Sequence, residues 1–260
     1  MLVKLKTKQE MEMIKKGGMI LAQVLATVAK KVAPGVHTRE LDQLAEKLIR
    51  EAGGVPAFKG YAGPVSPYVH TLCTSVNEAV VHEPPEPGAT LKEGDIIGLD
   101  IGMRYPAKDG FYTDTAVTMP VGKISPKTAK LLADTKEALM KGVVAVKLGG
   151  DIKDIGRVIE KFLKPKKYGI VKDLVGHGVG YEVHEDPQIP NYDDPEGESL
   201  KIKPGLVIAI EPMVNLGKDA IVFERDGWTV TTKDKSLSAH FEVTLIVTDK
   251  GVEIVTPLLV

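Results

Sequence analysis

The chain of 260 residues carries 34 Lys and Arg against 35 Asp and Glu, a formal charge of -1. That balance excludes a global electrostatic pull toward nucleic acid or an anionic membrane, and the length suffices for a substantial core within one α/β domain. The single cysteine, Cys73, excludes an intramolecular disulfide and a cysteine-rich zinc module, as expected of a reducing cytosol.

Met1 to Lys6 lead into a polar helix without the apolar core of a signal peptide, and no run of about 18 apolar residues follows. The expectation is a soluble cytoplasmic protein. Three Asn and four Gln beside 27% charged residues lean toward a heat-adapted source, with eight Met on the other side. Thr7-Lys8-Gln9-Glu10 has the form of a capping box, after which Met11, Ile14, Leu21, Val24, Leu25, Val28 and Val32 recur at helical spacing up to Pro34-Gly35. Thr38 is expected to cap a second helix, with Leu41, Leu44, Ala45, Leu48 and Ile49 on one face and Gly53-Gly54 as the stop. Residues 55–70, rich in Gly, Pro and Tyr, read as a surface loop. Short β-like runs follow at Leu72–Val76, Ala79–Val81, Asp95–Met103 and Thr113–Met119.

Ser125-Pro126 restarts the pattern, Ser as cap and Pro at the first helical position, and a helix is predicted to Leu148. Asp151 is expected to cap a further helix bearing Ile152, Ile155, Ile159, Phe162 and Leu163. β-like runs come at Val171–Val175, Leu206–Ile210, Ile221–Phe223, Trp228–Thr231 and Phe241–Val247. Two helices followed by strands, twice over, suggest an internal duplication. Gly94 to Asp100 and Gly205 to Glu211 support it, since each places a carboxylate six residues after a turn glycine, at the end of an apolar run. No low-complexity linker intervenes, so two related lobes, about 1–122 and 123–260, are expected to share one core.

Within this frame, Val175-Gly176-His177-Gly178-Val179-Gly180 stands out. Glycines let the backbone turn sharply and approach whatever the imidazole touches, and the step to His184 can return a second imidazole to the same place. Half of the six histidines, His37, His70 and His240, are scattered singly and read as structural. Asp100, Asp114, Glu211 and Glu242 fall at or near the ends of apolar strands, beside small neighbours on the same face. Any one of these acids reads as a solvated strand end. A buried carboxylate must be protonated, paired with a cation or bound to a metal, and no arginine lies within the apolar runs. One imidazole and four carboxylates suit a pair of divalent ions of intermediate hardness: Mn, Fe(II), Co or Zn.

The ordered set His82, Asp100, Asp114, His177, His184, Glu211-Pro212-Met213 and Glu242 resembles the methionine aminopeptidases of peptidase family M24, in their short bacterial type I form. Asp226-Gly227-Trp228-Thr229-Val230 and Ser236 to Glu242 are similar too. The resemblance spans nearly the whole chain and implies the duplicated α/β pita-bread fold with metals between the lobes. Departures are a longer stretch around residues 103–108, Glu83-Pro84-Pro85 after His82, and Val183 where an aromatic residue is expected near the substrate pocket.

By that resemblance, Asp100 and Asp114 bind one metal, His177 and Glu211 the other, and Asp114 and Glu242 bridge them. It further implies Glu211 as proton shuttle, His184 on the scissile carbonyl oxygen and His82 on the scissile nitrogen or the adjacent residue. Cys73, Tyr61, Phe58 and Trp228 are candidates to line a methionine pocket, with ordinary core packing as the alternative. The implied substrate is the N-terminal Met of nascent polypeptides whose second residue is small, met by a monomer with or without ribosome docking. Having Leu2, the protein is expected to keep its own Met1. A prolidase or Xaa-Pro aminopeptidase of the same fold, and a peptide-binding scaffold that has lost its metals, are the rival readings.

Overall fold

The structure, a computed structural model, describes residues 3–260. Met1 and Leu2, and with them the expectation for the protein's own first residue, lie outside the described residues. Helix α1, Lys8–Ala29, opens on the expected capping box: Thr7 Oγ1 accepts from the Glu10 N–H, and Glu10 Oε2 accepts from the Thr7 N–H at 2.7 Å. It stops five residues short of Pro34. Helix α2, Thr38–Glu51, is capped by His37 rather than Thr38. His37 Nδ1 accepts from the Arg39 N–H, because the Thr38 hydroxyl is committed elsewhere, donating to Pro85 O and accepting from the Ala89 N–H. Leu41, Ala45 and Ile49 of α2 are fully buried; each such Leu or Ile contributes about 1.5–3 kcal/mol relative to exposure.

The strands are β1 (Val55–Pro56), β2 (Leu72–Val76), β3 (Ala79–Val81), β4 (Ile96–Tyr105) and β5 (Phe111–Pro120). After α3 (Pro126–Ala145) and α4 (Lys153–Leu163) come β6 (Gly169–Ile170), β7 (Gly176–Gly178), β8 (Glu185–Ile189), β9 (Val207–Ile210), β10 (Met213–Asn215), β11 (Ile221–Phe223), β12 (Val230–Thr232), β13 (Ser238–His240), β14 (Glu242–Thr248) and β15 (Gly251–Ile254). Ser125 and Pro126 start α3 as expected, but the helix ends at Ala145 because Val146 turns extended. Asp151 sits one residue before the cap of α4, and its Oδ1 accepts from the Lys153 N–H. The strand expected over 171–175 is absent: polar, exposed Lys172 and Asp173 interrupt it, leaving β6 and β7 on either side.

A nine-stranded sheet runs in the order β1-β4-β5-β14-β9-β7-β8, with β2 added on β4 and β15 on β14, every pairing antiparallel. Helix α1 packs on β4 and β5, α2 on β2, and α3 against α4 and β9. Two three-stranded sheets, β13-β10-β6 and β11-β12-β3, complete the fold. Residues 57–71 are not merely a surface loop: Phe58 and Tyr68 are buried, and the loop is tied to itself and to β4. Gly60 N–H donates to Tyr68 O, Tyr68 N–H to Tyr61 O, and Ala57 N–H to Gly102 O. Among the described residues, no helix is long and apolar enough to cross a membrane.

Candidate active site

Sheet register assembles the carboxylates. Asp100 on β4 pairs with Ala116 on β5, and Ala116 pairs on its other side with Glu242 on β14. Directly opposed side chains share a face, so Asp100, Ala116 and Glu242 form a row, with Asp114 two residues along β5 on that same face. A methyl group at the middle of the row leaves the space above it to the acids. Both Asp100 and Asp114 lie within their strands rather than at the ends, because β4 and β5 run on into a long hairpin. Val243 pairs with Ile210, and one step forward from Ile210 and one step back from Val243 come Glu211 and Glu242.

Strand β7 brings His177 in from beyond β9. Its flanking glycines are required by close approach: a Cβ on Gly176 would stand 2.4 Å from Ala209 O, and one on Gly178 2.2 Å from Asp186 O. His177 Nδ1 lies 2.9 Å from Gly178 O. A carbonyl only accepts, so Nδ1 carries a proton and Nε2 is the ring nitrogen left to face the acids. That nitrogen faces Glu211 Oε1 at 3.3 Å. An imidazole nitrogen and a carboxylate oxygen so placed share either a proton or a metal cation between them.

The acids show the same demand. Burial, then its like-charged neighbours, pushes Asp114 and Glu242 well above the usual carboxylate range, and burial lifts Asp100 to about 7. Among the described residues, Asp100 Oδ1 and Glu242 Oε1 are buried without a hydrogen-bond partner. Glu211 is the exception: burial pushes it up, but the imidazoles of His240 and His177 outweigh this and hold it low. Donor atoms lie within 4.8 Å of one another in three overlapping groups: His177, Glu211 and Glu242; Asp100, Asp114 and Glu242; Asp114, His177 and His184. Hard oxygens with an imidazole, two of the oxygens orphaned, fit divalent metal ions.

Two more imidazoles stand at this cluster. The His184 ring meets that of His177 edge-on, centroids 4.4 Å apart, and its Nδ1 is 2.8 Å from the Tyr61 hydroxyl. His82 has φ +61, a left-handed backbone that a non-glycine residue holds only at a cost of about 1 kcal/mol or more. Burial lowers the His82 imidazole to about 4, and burial together with His177 depresses that of His184. Both rings are neutral near pH 7.

One cavity is lined by every residue anticipated for the site, Asp100, Asp114, His177, Glu211 and Glu242 at its floor and His82, His184, Phe58, Tyr61, Cys73 and Trp228 around it. Cys73 pairs with Asp100 across β2 and β4, and burial pushes its thiol well up, keeping it neutral. Tyr68 was not anticipated; it also lines the cavity, edge-on to Trp228 at 4.9 Å. Val183 packs with Phe58, Tyr68 and Cys73. The other addition is His240, 3.5 Å from Glu211 through Nε2. Its position two residues before Glu242, on the same strand face, was the available signal.

An antiparallel sheet bearing buried carboxylates and imidazoles beside an apolar pocket is the apparatus of a metal-dependent hydrolase. Residues 12–249 match metallopeptidase family M24. The chain is 42% identical to methionine aminopeptidase 1 of Bacillus subtilis over 251 residues, 96% of this chain and 98% of that one. It superposes on the crystal structure of methionine aminopeptidase from Rickettsia prowazekii with a TM-score of 0.91 at 36% identity, covering 98% of this chain and 100% of the other. The chain belongs to family M24, among the methionine aminopeptidases. Prolidase from Pyrococcus furiosus shares the fold, with a TM-score of 0.75, but at 24% identity and with only 65% of that chain covered. The fold is the pita-bread fold common to these enzymes.

Proposed function

We propose that this protein removes the N-terminal initiator methionine from newly made polypeptides whose second residue is small. The observation that carries the reading is the joining, in one cavity, of the metal-type donors to a pocket walled by Phe58, Tyr61, Tyr68, Cys73 and Trp228. A thioether is favoured by apolar and aromatic neighbours. In this reading Asp100, Asp114, His177, Glu211 and Glu242 hold two divalent ions, which when bound supply an acidified water as nucleophile near neutral pH. Asp114, His177 and Glu242 are each shared between donor groups, and of these only the two carboxylates have a second oxygen to offer a second ion, which supports their bridging role.

The remaining work falls to side chains. Glu211, kept ionised by its two imidazoles, accepts the proton of the attacking water and returns it to the leaving amine. With the Tyr61 hydroxyl donating to Nδ1, neutral His184 keeps its proton on Nε2, ready to donate to the scissile carbonyl oxygen as negative charge develops there. His82 meets the scissile nitrogen or the residue that follows. Asp100 and Asp114 come from one proposed lobe, 1–122, and His177, Glu211 and Glu242 from the other, 123–260; β5 pairs with β14 where they meet. The enzyme is proposed to act as a cytoplasmic monomer on nascent chains.

Free methionine released from a Met-Ala-Ser peptide tests the reading, before and after chelation and with Mn, Fe(II), Co and Zn restored in turn. Activity that survives complete metal removal would overturn it. The prolidase alternative predicts cleavage of Met-Pro in preference to Met-Ala.

A further inference from the structure

Lys6 does not line the cavity, yet a chain of contacts leads from it to His184. Its side chain is 2% exposed and pairs with Glu185 Oε1. The other oxygen of Glu185 accepts from the N–H groups of Tyr181 and Glu182, both at 3.2 Å, so this carboxylate closes the turn that ends at His184. Lys6 is itself held in place. Its N–H donates to Gly205 O at 2.7 Å, its ammonium donates to Lys4 O, and the same ammonium stands 4.8 Å from the Tyr181 ring. The Tyr181 hydroxyl donates to Glu10 Oε2, an oxygen of the capping box of α1. Gly180, at φ +136, is shaped to this arrangement: a Cβ there would come within 2.6 Å of Lys6 Cε.

We infer that Lys6 is a positioning residue for His184, acting through Glu185 and the turn 181–185. The inference rests on the aminopeptidase reading for the role of His184. A buried ion pair can often be replaced by apolar residues of similar volume without loss of stability. Stability alone therefore does not account for a charged pair here. Directed hydrogen bonds do what an apolar contact does not: they set the rotation of the turn, and with it the place of the ring beside Tyr61 and His177. Small displacements of a group that must meet a reacting carbonyl lower rate steeply.

The test is the double variant Lys6→Met/Glu185→Met, which removes the pair without leaving a lone buried charge, beside Lys6→Met. Four quantities are measured on metal-loaded protein: kcat and KM on Met-Ala-Ser, metal content, the urea midpoint, and the His184 imidazole resonance assigned by its loss in His184→Ala. The expected result for the double variant is a kcat lower by about 10- to 100-fold with metal content and midpoint kept, KM within about 3-fold of wild type, and a displaced His184 resonance. Wild-type kcat with an unmoved resonance would overturn the inference, as would a loss of rate that only follows loss of metal or of folded protein. If wild-type enzyme released no methionine at all, the aminopeptidase reading would fail instead, while the resonance would still decide whether Lys6 holds the ring.

Discussion

His240 Nε2 stands 3.5 Å from Glu211 Oε2, on the side of the carboxylate opposite the oxygen that faces His177. The His240 ring is buried, and among the described residues Nε2 has no hydrogen-bond partner, so it meets Glu211 by this ion-pair approach alone. Glu211 is thus oriented from both ends. Groups that orient a metal ligand typically contribute about 10- to 100-fold in metal affinity. His240→Leu should weaken binding of divalent metal by about that factor, read by calorimetric titration of the metal-free protein, whereas His240→Gln, which keeps a donor, should weaken it less. Equal affinities in all three proteins would show that His240 does not orient Glu211.

Asp114 belongs to two of the donor groups, His184 to one and His82 to none. Asp114→Asn should lower metal occupancy at both positions. His82→Ala and His184→Ala should keep the metal and lose turnover by about 100-fold or more, the scale of a positioned acid–base group. Elemental analysis beside the methionine-release assay separates the two kinds of variant.

Burial lifts the Glu83 carboxyl to about 7 from an ordinary value of 4.5, against the pull of the Val76 N–H that donates to it. Between those pH values the unfolded chain has lost the proton that the folded chain retains, so stability falls as pH rises. This contribution is fully favourable below pH 4.5 and used up near pH 7. Glu83→Gln should remove that part of the slope, measured as the difference in urea-unfolding free energy between pH 5 and pH 7. An unchanged slope would mean that Glu83 is already ionised in the folded protein.

Substrate choice is testable on the protein's own first residues, Met1-Leu2. A bulky second side chain displaces the scissile carbonyl from the reacting groups, and such displacement lowers rate heavily. Produced with active enzyme present, the wild-type chain should retain Met1 and a Leu2→Ala variant should lose it, as intact mass will report. Equal loss from both would remove the small-residue gate.

What the sequence by itself determined was local. Thr7 and Ser125 announce their helices because a cap and its N–H groups lie within three residues. The grouping of Asp100, Asp114, His177, Glu211 and Glu242 was legible because strand alternation sets the face of each acid and because their order along the chain is so specific. Thr38 misled, since its hydroxyl answers to Pro85 and Ala89, 47 and 51 residues away. Only the tertiary structure decided the row Asp100–Ala116–Glu242, the folding of Phe58 and Tyr68 into the cavity wall, the clamp of His240 on Glu211, and the bond of Lys6 to a carboxylate 179 residues on. Each depends on cross-strand register or on packing between segments far apart in the chain. Those are settled by the burial of the whole core, and no local propensity carries that information.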